Sequence, residues 1–355
     1  MTQTRSDSDW MGQAISMAKR GLGLTWPNPS VGCVIVKDSR LVGRGVTQPG
    51  GRPHAEVMAL RQAGPQATGA TAYVTLEPCS HTGKSPPCTT ALIKAGIKRV
   101  VFAQSDPDPR VECQKLLKDA GIAVEAGICG LQASRINRGF TSRITQKRPF
   151  ITLKLAATLD GKIATSRGES RWITGPCARR LVHTMRSSHD AVMIGRGTAE
   201  ADDPMLDVRG MGARHQPVRI VLDRQLKLSK SSRLVKTASN IPTWLIHHPD
   251  ADTHNLAATD CKLIASEAPL TALAHDGITR VFCEGGATLA ASLIQDDVVD
   301  ELVLFTAGKA IGGDGVSALA SLGLNELAHA PQFSLSHCHN VGEDIVSVWQ
   351  KKAAL

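Results

Sequence analysis

The sequence predicts two consecutive α/β domains. Three observations carry the prediction. A chain of 355 residues is too long for one ordinary core and suits two. Short apolar runs alternate with segments of helical period through both halves. A short polar, basic stretch from Arg143 to Pro149 interrupts the alternation. The boundary is therefore expected there, with residues 1–147 as one domain and 148–355 as the other.

The elements follow in order. Residues 9–20 have helical period, with Ser6, Asp7 or Ser8 as cap. Residues 31–36 and 41–46 form a predicted hairpin across Lys37-Asp38-Ser39-Arg40. Residues 54–64 are helical in period and stop at glycine. A strand at 71–76, a helix near 87–95, a strand at 99–104, a helix at 110–120, a strand at 123–128 and a helix at 131–142 complete a mixed α/β sandwich. Residues 151–164 open a second α/β unit. Its strands are expected at 150–157, 190–195, 217–223, 242–247, 280–284 and 300–306. Residues 225–240 and 248–262 are polar and read as loop-rich.

Composition narrows the function classes. Hydrophobic residues make up 42%, ordinary for a globular protein. The polar amino terminus lacks the apolar core of a signal peptide, and no run of about 18 apolar residues suggests a membrane span. The cytoplasm is the expected location, with no membrane partner. Nine cysteines in no disulfide-like spacing point to a reducing compartment. Seven of them, Cys33, Cys113, Cys129, Cys177, Cys261, Cys283 and Cys338, have no partner motif and read as small core residues. Residues 1–148 hold 20 basic and 10 acidic side chains, the remainder 21 and 22. The basic half suggests an acidic partner. Aromatics are only 3%, too few for many base-stacking platforms, which favours small phosphates over nucleic acid.

One constellation carries chemistry. His54-Ala55-Glu56 begins a predicted helix, Pro78-Cys79 ends a predicted strand, and Cys88 lies just inside the next helix. One imidazole and two thiolates satisfy three positions of a tetrahedral zinc ion and leave the fourth for water. Helix N-termini favour the thiolate that a ligand must be. A carboxylate beside the metal, Glu56, can carry a proton from water to a leaving amine. The arrangement matches the zinc-deaminase signature H-x-E followed by P-C-x-x-C, except that eight residues separate Cys79 from Cys88. A structural zinc site with His81 as fourth ligand is the competing reading. A zinc module that merely scaffolds a partner is another; it gives Glu56 no task.

At these residues the chain resembles the bifunctional deaminase–reductases of riboflavin biosynthesis. The first half matches at Pro27-Asn28-Pro29-Ser30-Val31-Gly32, His54-Ala55-Glu56 and Thr75-Leu76-Glu77-Pro78-Cys79-Ser80-His81, with Gly83, Lys84, Pro86, Pro87 and Cys88. The second half matches at Leu153-Lys154-Leu155, Leu159-Asp160-Gly161, Gly168 to Thr174, Ala201-Asp202-Asp203-Pro204 and Glu284-Gly285-Gly286. The resemblance implies a cytidine-deaminase-like α/β/α sandwich followed by a dihydrofolate-reductase-like α/β domain. It implies one Zn2+ in the first domain and NADPH in the second. The implied reactions are hydrolytic deamination of 2,5-diamino-6-ribosylamino-4(3H)-pyrimidinone 5′-phosphate, then reduction of the ribosyl side chain to give 5-amino-6-(5-phosphoribitylamino)uracil. The implied partner is this small phosphorylated pyrimidine, and a homo-oligomer is compatible with the family. Three places depart from the family pattern. Asp106-Pro107-Asp108-Pro109 stands where Asp-Pro-Asn-Pro is usual, Arg196 and Glu200 replace small or apolar residues, and Arg224 replaces a hydroxyl residue.

Further residues acquire expectations. Asn28, between two prolines, is either a substrate-facing amide or a turn residue bonding its own backbone. His81 and Lys84, in the metal loop, meet the substrate or stay solvated. By resemblance, Lys154, Ser170, Arg186, Leu206, Arg209 and Glu284 bind the phosphoribosyl substrate, and Ala156, Trp172, Thr198 and Asp202 bind the cofactor. On its own, Trp172 reads as core. Gly285, Gly286, Ala287 and Thr288 follow a predicted strand and open a helix, a place suited to a pyrophosphate. No G-x-G-x-x-G follows a strand in this half, so a Rossmann fold is not expected. Arg224, a cation directly after a predicted strand, is expected at the 2′-phosphate of NADPH. The alternative function is a nucleic-acid (tRNA) deaminase with residues 149–355 as an accessory domain. The near-neutral second half and the scarcity of aromatics oppose it.

Overall fold

The computed structural model describes residues 5–83, 85–212 and 215–352. The chain divides into two compact units, Met1–Arg148 and Pro149–Leu355.

In the first unit, α1 (Asp7–Ala18) starts at Ser6. The Ser6 hydroxyl accepts from the Asp9 amide while the Asp9 carboxylate accepts from the Ser6 amide, a reciprocal cap. Strands β1 (Gly32–Lys37) and β2 (Arg40–Val46) pair antiparallel. The turn between them puts Asp38 and Ser39 at φ 49° and 60°, the hand that matches strand twist. Strands β3 (Thr71–Val74), β4 (Arg99–Phe102) and β5 (Ala123–Ala126) complete the order β2-β1-β3-β4-β5, with β3, β4 and β5 parallel. On one face, α2 (Ala55–Ala63), α3 (Cys88–Lys94) and α4 (Cys113–Asp119) pack on Ile35, Val74 and Phe102. On the other, α1 and α5 (Gly130–Thr145) pack on Val34, Tyr73 and Val101. This is an α/β/α sandwich. Helix α5 continues through Thr145, so the first residues of the expected linker are helical.

Helix α2 lies very close to β2. A Cβ placed on Gly45 would sit 2.1 Å from the Ala55 carbonyl oxygen, and one on Gly43 would sit 2.3 Å from that of Ala59. Only glycine admits this approach, and the helix so seated carries His54 at its N-cap and Glu56 in its first turn.

The second unit holds β6 (Phe150–Thr158), β7 (Lys162–Ala164), β8 (Ala191–Gly195), β9 (Val218–Leu222), β10 (Thr243–His247), β11 (Lys262–Ala265), β12 (Arg280–Cys283), β13 (Glu301–Ala307), β14 (Val316–Ser317), β15 (Phe333–Val341) and β16 (Asp344–Lys351). Nine of these form one sheet in the order β11-β10-β9-β8-β12-β6-β13-β16-β15. The strands from β11 to β13 run parallel, and the terminal hairpin is antiparallel. The helices are α6 (Pro176–Ser187), α7 (Arg196–Asp202), α8 (Arg233–Lys236), α9 (Pro269–His275) and α10 (Ala287–Gln295).

The sequence reading missed the β15–β16 hairpin. Every residue of β15 is exposed or half-buried, so no buried face imprints an apolar alternation. The polar stretches 225–240 and 248–262 are mostly loop, yet Leu226, Leu228, Leu234 and Leu256 anchor them in the core. Two polar groups organise the interior. Arg219 is fully buried and donates to the carbonyls of Met205, Leu234 and Ile241 and to the hydroxyls of Thr237 and Thr243. Asp190, just before β8, accepts through Oδ2 from the Thr279 amide at 2.7 Å, its hydroxyl at 2.6 Å and the Arg280 amide at 3.0 Å. The cysteine reading needs correction at two positions: Cys177 and Cys338 are exposed and not core residues, whereas the half-buried Cys129 packs against the core.

Candidate active sites

The first site grows from the N-terminus of α2 and the segment between β3 and α3. Strand β3 ends at Val74 rather than at Leu76, so Cys79 lies in a loop. That loop is tied to α3: the Thr89 amide and hydroxyl both donate to the Cys79 carbonyl, at 3.2 and 3.3 Å. Cys88 is the first residue of α3, and its amide donates to Cys79 Sγ at 3.3 Å. His54 Nδ1 lies 3.3 Å from Cys88 Sγ and 3.6 Å from Cys79 Sγ. The three donor atoms all lie within 4.8 Å of one another. That spacing and donor set fit a tetrahedral zinc ion with one position left over. Among the described residues, His81 does not join the cluster.

Electrostatics divide the two thiols, that of Cys88 being pushed up by its contact with Cys79 and by burial. The Cys79 thiol is held down to about 4, first by its hydrogen bond with Cys88 and then by His54. Glu56 is only 4% exposed. Burial, then the charge of Cys79, pushes its carboxyl up from the usual range. Asn28 donates to the Gly51 carbonyl at 2.9 Å, and its Nδ2 stands 3.5 Å from His54 Nε2. Part of its amide is thus committed to the protein rather than to a ligand. These groups open on a cavity of about 330 Å3 whose walls include Asn28, His54, Glu56, Cys79 and His81. His81 Nδ1 is buried there and has no hydrogen-bond partner among the described residues. Lys84 lies outside the described residues. Sequence reasoning assigned no role to Arg52, Arg110 and Arg143, which line the same cavity. Arg143 had been given to a linker. Arg52, bonded to the Ser85 hydroxyl, carries no motif that would have singled it out.

The second site lies along the C-terminal ends of the parallel strands, where α/β sheets gather ligands. A hollow of about 650 Å3 is lined by Lys154, Ala156, Ser170, Asp202, Glu284 and Gly285, among others. A second, of about 740 Å3, is lined by Arg196, Arg224 and Thr288. Gly197, Thr198, Gly286 and Ala287 line both. Gly286 caps α10, and its amide donates to the Thr198 hydroxyl at 3.0 Å. Lys154 is half-buried, and desolvation lowers its ammonium from the usual value. Burial would raise Glu284, but Arg186 and Lys154 turn the net shift downward.

Four expected residues sit differently. Arg186 does not offer an open fork: Nε and Nη2 bind Glu284 at 2.5 and 3.0 Å, and Nη1 donates to the Asp207 carbonyl at 2.9 Å. Leu206 is 3% exposed and packs in the core beside Val192 and Val221. Arg209 pairs with Asp207 on the surface. Trp172 is 61% exposed, contrary to the core reading. The Arg179 guanidinium stacks over its ring at 4.4 Å, and Lys309 donates to its carbonyl.

Comparison with known proteins finds one family match in each unit. Residues 4–104 match the cytidine and deoxycytidylate deaminase zinc-binding region, and residues 149–347 match the RibD C-terminal domain. The chain is 41% identical to the riboflavin biosynthesis protein RibD of Escherichia coli, over 96% of this chain and 98% of that one. It is 40% identical to RibD of Aquifex aeolicus, over 97% and 98%. Among solved structures, RibD of Acinetobacter baumannii superposes with a TM-score of 0.91 at 39% identity, covering 98% of this chain and 99% of that one. A diaminohydroxyphosphoribosylaminopyrimidine deaminase/5-amino-6-(5-phosphoribosylamino)uracil reductase from Thermotoga maritima gives 0.88 at 34%, covering 98% and 99%. With both domain families matched in order and relatives aligned over nearly the whole chain, the chain belongs to the RibD family of riboflavin biosynthesis proteins, which join a zinc-binding deaminase domain to a reductase domain.

Proposed function

We propose that residues 1–147 deaminate 2,5-diamino-6-ribosylamino-4(3H)-pyrimidinone 5′-phosphate and that residues 148–355 reduce the ribosyl side chain of the product with NADPH. The observation that carries the reading is the convergence of His54 Nδ1, Cys79 Sγ and Cys88 Sγ beside the buried Glu56 carboxylate. His54, Cys79 and Cys88 would hold zinc, which when bound would supply the Lewis acidity that makes water a nucleophile near neutral pH. Glu56 would take the two protons of the attacking water in turn, passing one to the ring nitrogen as the C–O bond forms and the other to the amino nitrogen as its C–N bond breaks, so that water and cyclic amidine become ring amide and ammonia. Asn28 and His81 line the cavity and orient the pyrimidine.

In the second unit, NADPH supplies the hydride. The first-turn amides of α10, from Ala287 and Thr288 behind Gly285 and Gly286, receive the pyrophosphate. Ala156, Thr198 and Asp202 complete the cofactor wall. Lys154, Ser170 and Glu284 bind the sugar phosphate, with Arg186 holding Glu284 in place. Arg224 meets the 2′-phosphate, and equal catalytic efficiency with NADPH in Arg224→Ala rejects that role. The nucleic-acid alternative is not favoured, since the full-length relatives are riboflavin biosynthesis proteins. The proposed location is the cytoplasm; among the described residues no helix is long and apolar enough to cross a membrane. A homo-oligomer is the proposed assembly, read by light scattering.

A coupled assay on zinc-loaded protein tests the whole reading by following ammonia release and NADPH oxidation. Both signals are expected from the wild type. Glu56→Ala should keep its zinc and lose ammonia release. Wild-type protein that binds zinc yet releases no ammonia would refute the substrate assignment.

A further inference from the structure

The deaminase cavity presents a charge problem that its zinc ligands do not solve. Glu77, Asp106 and Asp108 line it together with Glu56, and the proposed substrate carries a phosphate. Glu77 and Asp106 are adjacent: Glu77 Oε2 accepts from the Asp106 amide at 3.3 Å. Burial pushes the Asp106 carboxyl up to about 6, so it takes up a proton more readily than an ordinary carboxylate, although it stays mostly ionised at neutral pH. Asp108 differs. Its carboxyl is held down at about 2, mainly by Arg110, so it stays ionised.

Geometry explains how Asp108 is tolerated. Arg110 Nε donates to both carboxylate oxygens, at 2.9 and 3.1 Å, its Nη2 donates to Oδ2, and its backbone amide donates to Oδ1 at 3.0 Å. The turn is fixed from behind by the Asp108 amide on Asp106 Oδ1, at 2.9 Å. The Asp108 side chain is 13% exposed and that of Arg110 is 71% exposed. So open an ion pair adds little to stability. Its consequence is felt in the cavity. Arg52, Arg143 and His81 also line the cavity, but Arg52 is already bonded to Ser85, and only Arg110 closes on the Asp108 carboxylate among the described contacts.

We propose that Arg110 is a positioning residue of the deaminase that cancels the Asp108 charge on the cavity wall and so admits an anionic, phosphate-bearing substrate. The inference rests on the deaminase reading above. Unscreened, one carboxylate against a phosphate dianion across about 8 Å of water-like medium weakens binding roughly five- to tenfold.

The test is a double-variant cycle on the zinc-loaded full chain, reading the KM and kcat of ammonia release for wild type, Arg110→Ala, Asp108→Asn and the double variant. Arg110→Ala is expected to raise KM about fivefold or more with kcat nearly unchanged, and the increase should shrink in high salt. In the Asp108→Asn background, which keeps the Oδ1 acceptor of the turn, removing Arg110 should leave KM where Asp108→Asn alone puts it. Unchanged KM in Arg110→Ala overturns the inference. So does an equal rise in both backgrounds, which would mean that Arg110 meets the phosphate itself. No ammonia from the wild type instead overturns the deaminase reading, and the inference with it.

Discussion

Replacing Gly45 by alanine tests whether the close seat of α2 on β2 sets the deaminase geometry. The new methyl group would lie 2.1 Å from the Ala55 carbonyl oxygen and 2.6 Å from the Ala59 amide nitrogen, whereas ordinary contact begins at 3.4 Å. Both neighbours are helix backbone, which cannot swing aside as a side chain would. The helix must therefore retreat by about 1 Å, with an overpacking cost of about 1–3 kcal/mol. His54 and Glu56 travel with it, while Cys79 and Cys88 are held on other segments. Zinc–ligand distances tolerate only about 0.2 Å, and a displacement near 1 Å costs on the order of a hundredfold in rate. Gly45→Ala should thus lose zinc to a chelator far sooner than wild type and release ammonia on the order of a hundredfold more slowly. NADPH oxidation, measured with the deaminated intermediate, serves as the internal control and should persist. Gly12→Ala in α1, with no atom within 4 Å of the added carbon, should instead be neutral or stabilise by up to about 1 kcal/mol. Full zinc retention and wild-type deamination in Gly45→Ala would refute the reasoning.

Two further outcomes follow from buried and half-buried charge. Arg186→Met strips Glu284 of its bidentate partner and should destabilise the second unit by about 3 kcal/mol in urea melts while raising the KM of the reductase; ammonia release should survive. Asp7 is held below the usual carboxylate range by Arg99, with Tyr73 adding a hydrogen bond. Because its folded value is depressed, its stabilisation exists above the unfolded value of 3.8 and is lost as pH falls through the folded value. Asp7→Asn should therefore cost on the order of 1 kcal/mol at pH 7, screened because the pair is partly exposed, and nothing once Asp7 is protonated in both states. A gap that does not shrink as pH falls below 3.8 would contradict this origin.

The sequence was most legible where local chemistry and long-range packing agree. The β1–β2 turn could be read because Asp38 and Ser39 suit the positive φ that a twisted hairpin demands. The zinc ligands could be read because His54 and Cys88 sit at helix starts and Cys79 follows a proline in the loop that leads to the second of them. Reading failed where burial is decided at a distance. Nothing local to Trp172 says that Arg179 and Lys309 will hold it at the surface. Nothing around Arg219 says that five backbone and side-chain acceptors will gather round a guanidinium in the core. Leu206 and Arg186 matched a pattern of residue types, but one side chain packs into the core and the other is spent on Glu284 and Asp207. Arg52, Arg110 and Arg143 are ordinary surface residues in sequence and share a cavity only after folding.

The Asp190 cluster has a consequence for how the second unit finds its fold. Hairpins inherit their alignment from a turn, but β8 and β12 are parallel neighbours, and Asp190 and Thr279 are 89 positions apart in the chain, so no turn can align them. A slip of one residue would exchange the two faces of a strand and also strand the Asp190 carboxylate among apolar side chains without its three donors. The buried acid therefore acts against misalignment more than it adds to the depth of the native well. Since partners this remote meet late and slowly, a variant such as Asp190→Leu, which keeps bulk but removes the penalty, should refold to a mixture of pairings even where its equilibrium stability is little changed.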